Sequence, residues 1–204
     1  MSRQEVRTLN VVAEQIRTAA GLMPAIAQIN ATAAEINQAA DLSAQVGMAP
    51  GAGFAGTGTV YKASVVKHGD VVKTSIVIDL TGAASSTTDL DIIGTSGVSH
   101  IGQVTAAVNG TYMGGKMTCL EAPVGGVTDI DLYAATEGTG AFDGAVGDLV
   151  ETAIVTAGGA WTLGLTKPFL VDVAANKYLY LTGGAAGTAA AYSAGRFLIE
   201  FWGV

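Results

Sequence analysis

The chain has 204 residues, half of them hydrophobic and only 13% charged, with 28 glycines and a formal net charge of -7. That length makes one domain, or one domain with an appendage, able to bury roughly 70% of its unfolded surface. So few charges suit a protein that covers much of its surface with copies of itself or a larger assembly, and ten scattered basic residues form no patch for phosphates, which excludes a nucleic-acid partner.

Residues 4–46 read as helical. Leu9, Val12, Ile16, Ala19, Met23 and Ile26 recur at alternating steps of three and four, an apolar seam along one helix face. Gly21 and Pro24 divide it, which predicts one helix to about Ala20 and a second from near Pro24. Thr32-Ala-Ala-Glu35 has the spacing of a capping box, and Ile29, Ala33, Ile36 and Ala40 continue the seam beyond it. Two readings stay open: a hairpin packed on its own domain, or an arm packed on a neighbouring subunit. The large members of the seam, Leu9, Val12, Ile16, Met23, Ile26, Ile29 and Ile36, are the candidate interface residues. Residues 1–47 are thus a helical arm, 48–58 a Gly/Ala-rich linker and 59–204 a β domain. The linker contains G-x-G-x-x-G at Gly51, Gly53 and Gly56. A dinucleotide loop needs a strand before it and a helix after it, and here the order is reversed, so the motif predicts no cofactor.

From Thr59 short strands follow one another. Val60–Val66 and Val71–Leu80 flank His68-Gly-Asp70, a tight turn. Asp89–Ile93 is a further strand, and Ile101–Val108 and Thr111–Met113 flank Asn109-Gly110, a strong hairpin signal because both residues tolerate positive φ. The centre of the pattern is Gly114–Gly138, where Met117–Glu121 and the Asp129–Tyr133 stretch are expected to fold back on each other around Pro123-Val-Gly-Gly126. There Ile130 and Leu132 alternate with Asp129 and Asp131, the mark of a strand with one wet face. Leu149–Thr156, Trp161–Leu165, Val171 with Val173, Tyr178–Leu181 and Arg196–Trp202 complete the set. About eight to ten strands without helical pattern between them predict an antiparallel β-sandwich of jelly-roll type behind the N-terminal helical arm.

Catalytic constellations are not found. His68 and His100 stand in no metal-ligand spacing, and there is no nucleophile elbow or Walker loop. Asp89/Asp91 and Asp129/Asp131 are D-x-D pairs of the kind that serve calcium, but on strands they are read as solvent-facing carboxylates, with no metal. The single Cys119 permits no internal disulfide and is expected to be a buried, inert thiol. Trp161 is expected to pack at an edge rather than offer a sugar platform. Met1-Ser-Arg-Gln-Glu-Val-Arg7 is charged with no secretory apolar run behind it, and no segment approaches the roughly 18 apolar residues of a membrane span. The expectation is a chain assembled in a cytoplasm, without enzymatic activity, cofactor or membrane partner.

Ala31-Thr-Ala-Ala-Glu-Ile-Asn37 resembles the A-T-A-A-E-[IL]-N segment that recurs in structural proteins of tailed bacteriophages, both fibres and head-associated proteins. Ile78-Asp-Leu-Thr-Gly82, Thr118-Cys-Leu-Glu121, Asp129-Ile-Asp-Leu-Tyr133 and Phe197-Leu-Ile-Glu200 are similar to small virion proteins that decorate phage heads. The resemblance implies a capsid decoration, or cement, protein on the virion surface, commonly trimeric, whose partners are the major capsid protein and itself. Its implied role is to bridge capsid subunits and stabilise the shell. A fibre or tail component and a carbohydrate-binding adhesion module are the alternative expectations.

Overall fold

The computed structural model describes residues 48–54, 61–187 and 189–204. The expected arm, with Leu9, Val12, Ile16, Met23, Ile26, Ile29 and Ile36, lies outside the described residues, as do linker positions 55–58 and the first two residues of the expected β domain, 59–60.

The described chain is mainly β, and its sheets are antiparallel. It opens with β1 (Tyr61–His68) and β2 (Val71–Asp79), a hairpin whose turn carries Gly69 at φ 62, as the His68-Gly-Asp70 signal predicts. Then come β3 (Ala84–Ser85), β4 (Gln103–Val104), a one-turn helix α1 (Ala106–Asn109), the long β5 (Tyr112–Val124) and β6 (Ile130–Ala135). A 3-10 turn at Val146–Leu149 precedes β7 (Glu151–Val155), β8 (Thr166–Pro168), β9 (Lys177–Gly183), β10 (Ala190–Ala191) and β11 (Ala194–Gly203). One sheet has the order β1-β2-β11-β5-β8, the other β4-β9-β6-β7, and β10 pairs with β3 alone. Apart from β1, β3 and β10 the pairing is nested: β2 with β11, β4 with β9, β5 with β8 and β6 with β7, all antiparallel.

Alternation decides which side chains enter the core. Ile76 and Ile78 of β2, Met117 and Cys119 of β5, and Phe197, Ile199 and Phe201 of β11 point one way from the larger sheet. They share a single buried cluster with Ile130 and Leu132 of β6, Ile154 of β7, and Leu179 and Leu181 of β9. Trp161 joins it, edge-on to Phe197 at 5.3 Å, with its indole N–H donating to the Ile130 carbonyl at 2.7 Å. The glycine-rich stretch Met48–Phe54 is seated in this body. The Gly51 and Gly53 N–H groups donate to the His100 and Val98 carbonyls at 2.8 and 2.7 Å, Phe54 is fully buried, and the single Tyr61 O–H stands within hydrogen-bond reach of the Ile101 and Met48 carbonyls, at 2.8 and 3.0 Å. Gly51 is required there, because a side chain would collide with the Val98 backbone.

Four local expectations are corrected. β5 and β6 are not a hairpin. Each is central in its own sheet, β5 between β11 and β8, β6 between β9 and β7. Pro123 has no N–H to donate and Gly125 takes φ 105, so the chain leaves one sheet there and enters the other. Asn109-Gly110 ends a helix rather than turning a hairpin. Thr105 caps α1 by accepting from the Val108 N–H, Gly110 stops it at φ 72, and Asn109 is buried, donating to Thr74 Oγ1 at 2.9 Å and accepting from the Thr105 N–H. Around Asp89–Ile93 there are only isolated bridges, and Trp161–Leu165 and Val171 with Val173 lie outside strands. Finally, β6 is buried along its whole length. Asp131 is 6% exposed and Asp91 7%, so these carboxylates do not face water. A second apolar cluster, built from Ile92, Tyr133, Ala135, Val146, Leu149 and Tyr180, covers the sheet face predicted to be wet.

Candidate functional site

The face of the larger sheet turned away from the core is a four-row array. In the register of the strands, Asp79, Arg196 and Glu121 form the first row and Lys62, Val77, Leu198, Thr118 and Thr166 the second. Ser64, Ser75, Glu200, Lys116 and Pro168 form the third, and Val66, Lys73, Trp202 and Gly114 the fourth. Val77, Leu198 and Trp202 are half-buried on this face, and the Ser75–Glu200–Lys116 row runs between Leu198 and Trp202.

Those charges are held in place. Glu200 is only 7% exposed because Lys73 Nζ lies 2.6 Å from Oε1 and Lys116 Nζ 3.3 Å from Oε2. Burial alone would raise the Glu200 pKa; the two ammonium groups outweigh it and hold the carboxyl below its ordinary value. Lys73 also stands 6.0 Å from the centre of the Trp202 ring. Asp79 follows the same logic. Burial pushes it up, but the Thr81 hydroxyl and N–H, at 2.7 and 2.9 Å, and Arg196 Nη2 at 2.6 Å carry it below the usual range. Thr118 and Thr166 share a hydrogen bond of 2.9 Å across β5 and β8. Gly114 leaves open space opposite Trp202, so the ring lies on an uncovered shelf. A sheet face on which half-buried apolar side chains stand among fixed ion pairs fits a protein partner better than a small molecule, which needs a concave pocket.

A second feature sits at the end of β6. Asp129 and Asp131 are two residues apart on one side of the strand, with Gly184 beside both. The Asp131 Oδ1 accepts from the Ala157 N–H at 2.6 Å, and the N–H groups of Gly159 and Gly158 favour charge on Asp129. Burial nevertheless pushes both carboxyls above the ordinary aspartate value. Lys167 donates to the carbonyls of Thr156 and Ala157 and stands 5.8 Å from the Trp161 ring.

No family model, curated protein or solved structure matches the chain. The site must therefore be read from its own residues. The expected interface residues, Leu9 through Ile36, lie outside the described residues and the sheet face was not singled out from the sequence. A signal for it existed in Lys73, Lys116 and Glu200, which alternate with core residues on three strands, but their convergence depends on pairing distant segments. Cys119 is buried as expected, its thiol donates to the Glu121 carbonyl, and burial raises its pKa. Trp161 is 2% exposed and presents no platform to a sugar. His68 is exposed in the β1–β2 turn, and His100, half-buried beside Tyr178, has its pKa lowered by burial. Among the described residues, no group of three or more His, Cys, Asp or Glu side chains is placed to hold a metal ion, and no helix is long and apolar enough to cross a membrane.

Proposed function

We propose that the chain is a capsid decoration protein of a tailed bacteriophage, with a jelly-roll β-sandwich as its body. The nested pairing of eight strands, first with last and inward to fourth with fifth, supports the jelly roll. It is the order obtained when one long antiparallel ribbon is folded over so that its strands distribute between two sheets. The Ala31–Asn37 segment supports the virion assignment. The observation that carries the mechanical role is the outward sheet face, where Val77, Leu198 and Trp202 lie among pinned ion pairs.

On this reading each copy lays that face or its N-terminal arm on the major capsid protein, and copies associate as trimers. Apolar burial at about 25 cal/mol per Å² makes each contact modest, but repetition over a shell makes the sum large. The test is pelleting of purified protein with undecorated heads, alongside Leu198→Asp and Ile16→Asp. Wild type co-sediments to saturation, and a charge in the true contact sharply lowers occupancy because a buried unpaired carboxylate is costly. Light scattering of the free protein reads the trimer. Wild-type protein that stays in the supernatant at micromolar concentration refutes the assignment.

A further inference from the structure

We propose that the end of the β6–β9 pair is a binding site for a divalent cation of the calcium type, held by the carboxylates of Asp129 and Asp131 with the Thr182 hydroxyl. Thr182 is directly across from Asp131 in the antiparallel register, so both side chains stand on the same face of the sheet. Thr182 is fully buried, and its Oγ1 has no hydrogen-bond partner. The Asp129 Oδ1 is likewise sealed from solvent and without a partner. Two oxygens of this kind are rarely left unsatisfied in a protein interior.

Gly184 lets the two carboxylates approach each other. A side-chain carbon there would lie 2.6 Å from Asp129 Oδ1 and 2.8 Å from Asp131 Oδ1, so both oxygens press against the glycine and any larger residue would push them apart. A cation reaching both sits beside them, off the glycine backbone, at calcium–oxygen distances of about 2.3–2.6 Å. The nearby Lys167 ammonium offsets part of the carboxylates' charge from a distance, while its hydrogen bonds go to the carbonyls of Thr156 and Ala157. The exposed Asp89 adds negative charge from the rim. Oxygen donors without thiolate or imidazole select a hard ion, and an irregular two-carboxylate site favours calcium over magnesium, which demands near-ideal octahedral geometry. Two carboxylates and one hydroxyl leave the remaining positions to water, which places the affinity in the weak range of about 10⁻⁴–10⁻³ M. The bound ion joins β6 to β9 at the point where the 156–159 segment packs on Asp131. The proposal stands independently of the capsid reading.

The experiment is thermal melting of the chelator-dialysed chain in calcium chloride up to about 10 mM, with magnesium chloride as control. The melting temperature rises with the logarithm of calcium concentration, by roughly 5–10 °C once calcium exceeds Kd a hundredfold. Terbium binds in its place, gains luminescence when Trp161 is excited, and is displaced by calcium. Asp131→Asn and Gly184→Ala abolish both signals. Thr182→Val weakens binding about tenfold while melting no lower than the unmutated chain in chelator, and it keeps the test decisive should Asp131→Asn fail to fold. No calcium shift at about 10 mM overturns the proposal and leaves a water or a shared proton at the pair. A shift that persists in Gly184→Ala overturns it as well, because calcium then binds elsewhere.

Discussion

Phe54→Ala is the sharpest test of how the body is assembled. Phe54 precedes β1 in a glycine-rich stretch, yet it is 0% exposed and belongs to the same cluster as Ile76, Leu132 and Phe197. Its backbone is tied down as well, since the Phe54 N–H donates to the Gly51 carbonyl at 3.0 Å and Gly53 reaches Val98. A phenyl ring removed from such a place leaves a cavity that neighbours on two sheets cannot close, at a cost of about 3–5 kcal/mol. At roughly 2–4 °C per kcal/mol for a domain of this size, the melting temperature falls by about 6–20 °C. The assay is thermal unfolding followed by the β-sheet circular dichroism signal, repeated in urea to check that the slope is unchanged. Leu163→Ala, at a side chain 74% exposed, is the control and stays within about 0.5 kcal/mol of the unmutated chain. A Phe54→Ala protein that melts within about 2 °C of that control refutes the reasoning and makes Met48–Phe54 an ornament on the body.

Two further outcomes follow from the titratable groups. The folded Glu200 carboxyl titrates below its unfolded value, so its contribution is complete above the unfolded pKa of about 4.3 and is lost as pH falls through the lower folded value. Both lysine partners are more than a third exposed, so screening limits the effect to about 1 kcal/mol. Urea midpoints measured from pH 7 down to pH 3 decline less steeply in Glu200→Gln than in the unmutated chain, and equal slopes exclude the ion network as a stabiliser. Cys119 reacts with a disulfide reagent at neutral pH more than about 100-fold faster in denaturant than in buffer, because burial both hides the thiol and raises its pKa; equal rates mean that β5 opens freely.

Where information was local, the residues alone carried it. The β1–β2 hairpin was legible in His68-Gly69-Asp70 because two residues and one positive φ decide such a turn. β9 and β11 were legible because alternating apolar residues mark a strand wherever its partners lie, and Cys119 among apolar neighbours was legible as buried. The larger errors arose where a strong local signal met a distant demand. Asn109-Gly110 tolerates positive φ in a hairpin and at a helix end alike, and the hydrogen bond from Asn109 to Thr74, 35 residues away, accompanies the second. Pro123–Gly126 looks like a turn between neighbours, but β5 lies between β11 and β8 in one sheet and β6 between β9 and β7 in the other. The alternation of Asp129 and Asp131 with Ile130 and Leu132 reported two faces correctly and could not report that the second is covered by Ile92, Val146 and Tyr180. The ion-pinned sheet face has the same origin, since Lys73, Lys116 and Glu200 meet only when β2, β5 and β11 pair. Periodicity and turn chemistry are properties of a few consecutive residues, whereas a strand's neighbours, and what lies on top of it, are set by which distant segments bury the most surface together.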